Sequence, residues 1–207
     1  MITDCKICGI TDLKILKFII NHNYAPKFVG FIVNYKKSKR YIEYKKLIKL
    51  INIKKKKINF VAILVNPKNK ILEKIKNLNF QYYQLYNVSP KKTKFIKKKY
   101  KKKIISALTI EKLEDVEKYI YYKDISDIIL FDGKGYEKSV SFDHNFLSNV
   151  PNNIPKMIAG NIKIDNIPHI KKADYFIDLS GSLENEEGKK DLQKIDNFLK
   201  NIKKYEN

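Results

Sequence analysis

The sequence predicts an α/β fold, a single (β/α)8 TIM barrel spanning residues 1–207. Three observations lead there. Eight short apolar runs rich in β-formers recur at fairly even spacing along the 207 residues. Segments with helical periodicity lie between most of them. The G-x-G-x-x-G signature that marks the first turn of many doubly wound open sheets is missing. An open sheet would otherwise give a similar string of elements, so the absent phosphate loop tips the reading toward the barrel. No linker, low-complexity tail or Pro/Gly-rich break divides the chain.

The elements follow in order. Cys5–Cys8 is the first apolar run, and Thr11 stands where an N-cap opens a helix whose stripe is Leu13, Leu16, Ile19 and Ile20. Phe28–Val33 is the second run, followed by a stripe of Leu47, Ile48 and Ile51. Ile58–Val65 is the third, followed by Leu72 and Ile75. Phe80–Tyr86 is the fourth, with Phe80, Tyr82 and Tyr83 expected in the core. Lys103–Ile110, Asp127–Asp132, Pro155–Gly160 and Asp174–Ser180 complete the eight. Leu192, Ile195, Phe198, Leu199 and Ile202 form a closing amphipathic helix.

Hydrophobic residues at 43% and charged residues at 31% describe an ordinary globular chain with length to bury a core. The net charge of +21 invites a nucleic-acid hypothesis, yet Arg40 is the only arginine among 43 basic residues. Lysine runs such as Lys54 to Lys57 and Lys97 to Lys103 (broken by Tyr100) read as solvated faces. A sequence-specific nucleic-acid site would recruit the arginine fork. The expectation is therefore non-specific attraction to polyanions and no specific nucleic-acid partner. No stretch approaches the ~18 apolar residues of a membrane span, and the first residues do not resemble a signal peptide. Two cysteines make no disulfide framework, so a reducing cytoplasm is the expected compartment.

Those two cysteines, Cys5 and Cys8, stand in a C-x-x-C spacing. On a strand, three residues of extended chain separate them by roughly 10 Å, beyond the ~7 Å reach of a disulfide. An odd separation also points them to opposite faces. Gly9 and the expected cap at Thr11 put the helix start after the pair, which disfavours a thioredoxin-type motif. His22, His144 and His169 are isolated, so zinc lacks further ligands. Cys8 should face the active end and Cys5 should pack against a helix. In a barrel, chemistry belongs at the carboxyl ends of the strands. Those ends collect Cys8, Arg40, Gln84, Asp132, Gly160 with Asn161, and Asp178 with Ser180, Gly181 and Ser182: one thiol, one arginine and two carboxylates among them.

The motifs Lys-Ile-Cys-Gly-Ile-Thr (Lys6–Thr11) and Ser38-Lys39-Arg40 resemble those of the phosphoribosylanthranilate isomerase family. The likeness continues in order through Val61–Asn66, Tyr82–Tyr86, Ile129–Lys134, Ser141–Leu147, Met157–Asn161 and Asp178–Ile195. It implies a (β/α)8 barrel of tryptophan biosynthesis that isomerises N-(5'-phosphoribosyl)anthranilate to 1-(2-carboxyphenylamino)-1-deoxyribulose 5-phosphate without a cofactor. It implies Cys8 as general base, Asp132 as general acid and Arg40 as the grip on the anthranilate carboxylate. The phosphate would lie on backbone amides of Gly160, Asn161, Ser180, Gly181 and Ser182, and Asp178 would meet the substrate's hydroxyls. Lys6, on the same strand face as Cys8, is a source of field that would lower the thiol's pKa. The partner implied is a small anionic phosphosugar, not a membrane, and the chain would be a monomer or homodimer.

The sequence also departs from the family. Gln-Leu-His-Gly after the fourth run reads Gln84-Leu85-Tyr86-Asn87, so an active-site histidine is replaced by tyrosine. Gly133 follows Asp132 where threonine is usual, Glu137 and Lys138 replace loop glycines, and His144 replaces a tryptophan. These departures raise the alternative of a phosphate-binding barrel that has lost catalysis. Retention of both Cys8 and Asp132 favours an enzyme.

Overall fold

The computed structural model describes residues 2–133, 140–167 and 174–202. Lys134, Glu137, Lys138 and His169, singled out above, lie outside them. Eight strands close into a barrel in sequence order, each parallel to its neighbours. They are β1 (Ile2–Ile7), β2 (Phe28–Ile32), β3 (Asn59–Val65), β4 (Tyr82–Tyr86), β5 (Lys103–Ile110), β6 (Ile128–Gly133), β7 (Lys156–Ile158) and β8 (Tyr175–Leu179). Each expected run overlaps its strand, and six contain it; β1 begins three residues before Cys5 and ends at Ile7, and β6 runs one residue beyond Asp132. Closure comes from β1 pairing with β8, where Lys6 stands opposite Asp178 and Ile7 opposite Leu179.

Helices α1 (Leu13–Asn21), α2 (Tyr44–Ile51), α3 (Asn69–Ile75) and α4 (Pro90–Tyr100) follow the first four strands. After β5 the outer layer thins among the described residues: α5 (Leu113–Glu117) is short, and 3-10 turns His144–Asn149 and Ile164–Asn166 follow β6 and β7. Helix α6 (Leu192–Ile202) closes the ring after β8 and buries Ile195, Phe198, Leu199 and Ile202. Three details correct the sequence reading. The N-cap of α1 is Asp12, not Thr11, because its carboxylate accepts the Ile15 amide at 3.0 Å. Ile15 takes the buried place expected of Leu13, which opens the first turn and is 38% exposed. Leu50 is buried on α2 with Leu47 and Ile51, whereas Ile48 is only half-buried.

Alternation along the strands sorts the apolar side chains into two cores. The larger lies between sheet and helices and holds Cys5, Phe31, Phe60, Phe80 and Tyr83. The other fills the barrel lumen and holds Cys8, Phe28, Ile63, Tyr82, Tyr86 and Leu130. The two cysteines thus face opposite ways, as their odd spacing requires, and they form no disulfide. Edge-on aromatic packing of Phe28 against Tyr82 and Phe176, each at 5.3 Å between centroids, fills part of the lumen.

Gly30 on β2 makes room for chemistry. A Cβ there would sit 2.8 Å from Ile63 Cδ1, 3.1 Å from Lys6 Cε and 3.2 Å from Cys8 Sγ. The missing side chain is the space that the Lys6 stem and the Cys8 thiol occupy. Gly30→Ala should lower stability by about 1–3 kcal/mol, the usual cost of overpacking, measured by thermal or urea unfolding. An unchanged midpoint would show that the lumen has slack at this point.

Candidate active site

One cleft opens at the carboxyl ends of the strands, about 720 Å³ including its solvent-open mouth. Cys8, Arg40, Asp132, Gly160, Asn161, Asp178, Ser180, Gly181 and Ser182 all line it, together with Gln84 and Tyr86 from β4. The structure therefore brings together every site residue named from the sequence. His144 is not among the lining residues; its ring packs edge-on against Phe142 at 4.8 Å.

The floor of the cleft is a buried ion pair. Lys6 Nζ donates to Asp178 Oδ2 at 2.7 Å, with the two side chains 0% and 6% exposed. Burial favours neutral lysine, but Asp178 and Cys8 outweigh it and hold the Lys6 ammonium above its ordinary pKa. The other carboxylate oxygen, Asp178 Oδ1, is buried with no partner among the described residues. It is an acceptor waiting for a donor.

Cys8 follows the last residue of β1, and its amide donates to Leu179 O at 2.8 Å. The backbone then turns through Gly9 at φ +77°, and a Cβ at Gly9 would meet Arg40 Cδ at 2.6 Å. Only glycine both adopts this turn and lets Arg40 cross above it. Burial pushes the Cys8 thiol up, and Lys6 and Lys190 pull it down without overcoming that effect. The expectation that positive charge leaves this thiol depressed is therefore corrected: the field of Lys6 is present, but desolvation exceeds it.

Arg40 shows what sequence reasoning missed. Its Nε and Nη2 donate side-on to the two oxygens of Glu184, the latter at 2.8 Å. Lys190 Nζ also donates to Glu184 Oε1 and, at 3.0 Å, to Ser180 O. Burial alone would raise the Glu184 carboxyl, but Arg40 and Lys190 hold it below its ordinary range. The side fork of Arg40 is thus filled by the protein itself, and its Nη1 has no partner among the described residues. Lys190, one of many lysines in sequence, is nearly inaccessible here, and burial pulls its pKa down.

Across the cleft, Tyr86 Oη donates to Asp132 Oδ2 at 2.7 Å, and Gln84 Nε2 donates to Tyr86 Oη at 3.2 Å. Burial raises the Asp132 carboxyl to about 6, against the opposing pull of Tyr86, Lys6 and the Gly133 amide. On the remaining side, Gly160 (φ +106°) and Asn161 (φ +51°) form a left-handed bend after β7. Gly181–Leu183 is a 3-10 turn whose Leu183 and Glu184 amides close on Ser180 O and Gly181 O. The amides of Gly181 and Ser182 lie outside that ladder. Among the described residues, no group of three His, Cys, Asp or Glu side chains is placed to hold a metal ion. None of the described helices is long and apolar enough to cross a membrane.

The family model for N-(5'-phosphoribosyl)anthranilate (PRA) isomerase matches residues 5–201. The chain belongs to the PRA isomerase family. The PRA isomerase of Rhizobium rhizogenes is 32% identical over 207 residues, covering 95% of this chain and 92% of its own. The crystal structure of the Thermotoga maritima enzyme superposes with a TM-score of 0.83 at 25% identity, over 99% of this chain and all of that one. A further PRA isomerase structure, solved with reduced 1-(o-carboxyphenylamino)-1-deoxyribulose 5-phosphate, gives a TM-score of 0.82 at 25% identity, over 99% of this chain and all of that one.

The elevated Asp132 carboxyl has a consequence for stability that needs no substrate. Its folded pKa of about 6 lies above the ordinary 3.8, so the folded protein holds a proton that the unfolded chain has lost. That stabilising contribution is fully present below the unfolded value and is lost as pH rises through about 6. Above that range the half-buried carboxylate costs up to about 3 kcal/mol. Asp132→Asn should therefore be more stable than its parent near pH 7.5, with the gap closing toward about pH 4. Urea unfolding at the two pH values reads this, and a variant less stable at the higher pH would contradict it.

Proposed function

We infer that this PRA isomerase converts N-(5'-phosphoribosyl)anthranilate to 1-(2-carboxyphenylamino)-1-deoxyribulose 5-phosphate with Asp132 as general acid and Cys8 as general base. The observation that carries the assignment is that a half-buried, desolvated carboxyl and a buried thiol line one cleft, in a chain matched to the family over residues 5–201. The proposal takes residues 1–207 as one barrel domain.

Asp132 gives its proton to the ribose ring oxygen, the C1'–O bond breaks, and the anthranilate nitrogen lone pair forms the iminium. The Cys8 thiolate removes the C2' proton, and the enolamine that results takes a proton at C1' from the Cys8 thiol, which returns to the thiolate. The enol hydroxyl loses its proton as the ketone forms, which restores Asp132. Acid and base thus need one proton between them. With Asp132 titrating at about 6 and Cys8 above its ordinary value, the pair holds one proton across the neutral range. The productive arrangement, proton on Asp132 and thiolate on Cys8, has the same charge as the resting one.

Arg40 supplies the carboxylate grip. With its side fork on Glu184, the end-on pair Nη1 and Nη2 remains for the anthranilate group. Lysine at this position keeps the charge and loses the planar pair. Asp178 Oδ1 accepts a sugar hydroxyl, which satisfies an otherwise orphaned oxygen. The phosphate lies on the backbone amides of the Gly160-Asn161 bend and the Ser180-Gly181-Ser182 turn.

The direct test is consumption of freshly prepared phosphoribosylanthranilate, followed by its fluorescence. Loss of signal dependent on the protein is expected, and none would overturn the assignment. Cys8→Ala should reduce kcat at least about a hundredfold, while Cys5→Ala, in the outer core, should leave it near the parent value. Arg40→Lys should raise KM more than it lowers kcat, because the contact exists in ground and transition states alike. Equal damage from Cys5→Ala and Cys8→Ala would remove Cys8 from its role.

A further inference from the structure

Tyr86 is the residue at which this chain's cleft differs most pointedly from the family pattern, and its position is informative. Gln84 and Tyr86 are two residues apart on β4, so both side chains enter the lumen. Gln84 is 1% and Tyr86 5% exposed. The Gln84 amide directs a hydrogen at Tyr86 Oη, at 3.2 Å, so the tyrosine's own hydrogen is turned to Asp132 Oδ2, at 2.7 Å.

We propose that Tyr86 is a positioning residue for the general acid: its hydroxyl occupies one carboxyl oxygen of Asp132 and leaves the other to carry the proton delivered to the substrate. A carboxyl group in a cleft can hold its proton on either oxygen and rotate between them. A donor fixed on Oδ2 makes that oxygen the acceptor in the protonated acid, and the acidic hydrogen then resides on Oδ1. Gln84 fixes the donor in turn, so the direction of the chain Gln84 to Tyr86 to Asp132 is set by the protein before substrate arrives.

Tyr86 is suited to this part because it does not ionise in the working range. Burial, first of all, and the neighbouring Asp132, Asp178 and Cys8 hold its phenol well above the ordinary value. It remains a donor throughout. The same hydrogen bond lowers the Asp132 pKa, working with Lys6 from β1 and the Gly133 amide against burial and Asp178 from β8. Removing the hydroxyl should therefore weaken the acid as well as free its orientation.

The inference rests on Asp132 being the acid, and the experiment separates the two claims. In Tyr86→Phe, which keeps the ring in the lumen, kcat should fall about tenfold with KM within about twofold, the scale of one hydrogen bond. The acidic limb of the kcat/KM profile should move upward from its parent position. In the substrate-free protein, the carboxyl carbon of Asp132, followed by NMR and assigned by its loss in Asp132→Asn, should titrate at higher pH than in the parent. Parent-like kcat and an unmoved titration in Tyr86→Phe would overturn the positioning role. An Asp132→Asn enzyme with parent-like kcat would instead overturn the acid assignment, whatever Tyr86 does.

Discussion

Lys6 and Asp178 face one another across the seam that closes the barrel, and their contact at 2.7 Å constrains everything built above it. An ammonium with no exposure costs several kcal/mol to dehydrate unless a carboxylate meets it at close range. The seam supplies that carboxylate in register, and Gly30 on the neighbouring strand supplies the volume for the lysine stem. Elsewhere the lumen can be apolar, with Phe28, Tyr82 and Phe176 packed edge to face. The mouth must stay polar, because a buried charge pair is tolerable only in the company of further donors and acceptors. Cys8, Asp132 and the open oxygen of Asp178 are that company.

The same desolvation that makes the ion pair costly tunes the chemistry. It pushes the Cys8 thiol and the Asp132 carboxyl upward together, while Lys6 opposes the shift at both. Thiol and carboxyl thereby hold one proton between them near neutrality, resting on the thiol, and moving it to the carboxyl leaves the charge of the pair unchanged. At the rim a second network, Arg40 with Glu184 and Lys190, engages one side of the guanidinium and leaves Nη1 without a partner among the described residues. An ammonium has no second face of this kind. The one arginine of a chain with 43 basic residues stands here.

Much of the barrel was legible because burial on both faces leaves short, nearly continuous apolar runs, and eight of them recur in order. The cysteines were legible from parity alone: an odd spacing on a strand separates lumen from outer core. Helix details were less so. Thr11 and Asp12 are both good caps, and only the carboxylate's reach to the Ile15 amide decides between them. Leu13 and Ile48 fit a helical period as well as Ile15 and Leu50 do, and which set is buried depends on where the helix begins. The site residues lay at strand ends and could be gathered by position, whereas their supports could not. Lys190 looks like any other lysine in a lysine-rich chain. Glu184 shows its purpose only when the loop after β8 folds back on Arg40. Tyr86 read as the loss of a histidine, because a hydrogen bond between residues 46 apart in sequence has no local signature.

The buried Lys6 charge holds the Cys8 thiol below where burial alone would put it. This effect is tested by removing the ion pair as a unit, so that no orphaned charge remains, in Lys6→Met/Asp178→Asn. In a Cys5→Ser background Cys8 is the sole thiol, and its ionisation can be followed by the pH dependence of alkylation. Lys6 pulls the Cys8 pKa down more strongly than Asp178 pushes it up, so Cys8 should titrate at higher pH once both are gone. A Cys8 titration that stays in place or moves to lower pH would contradict this account.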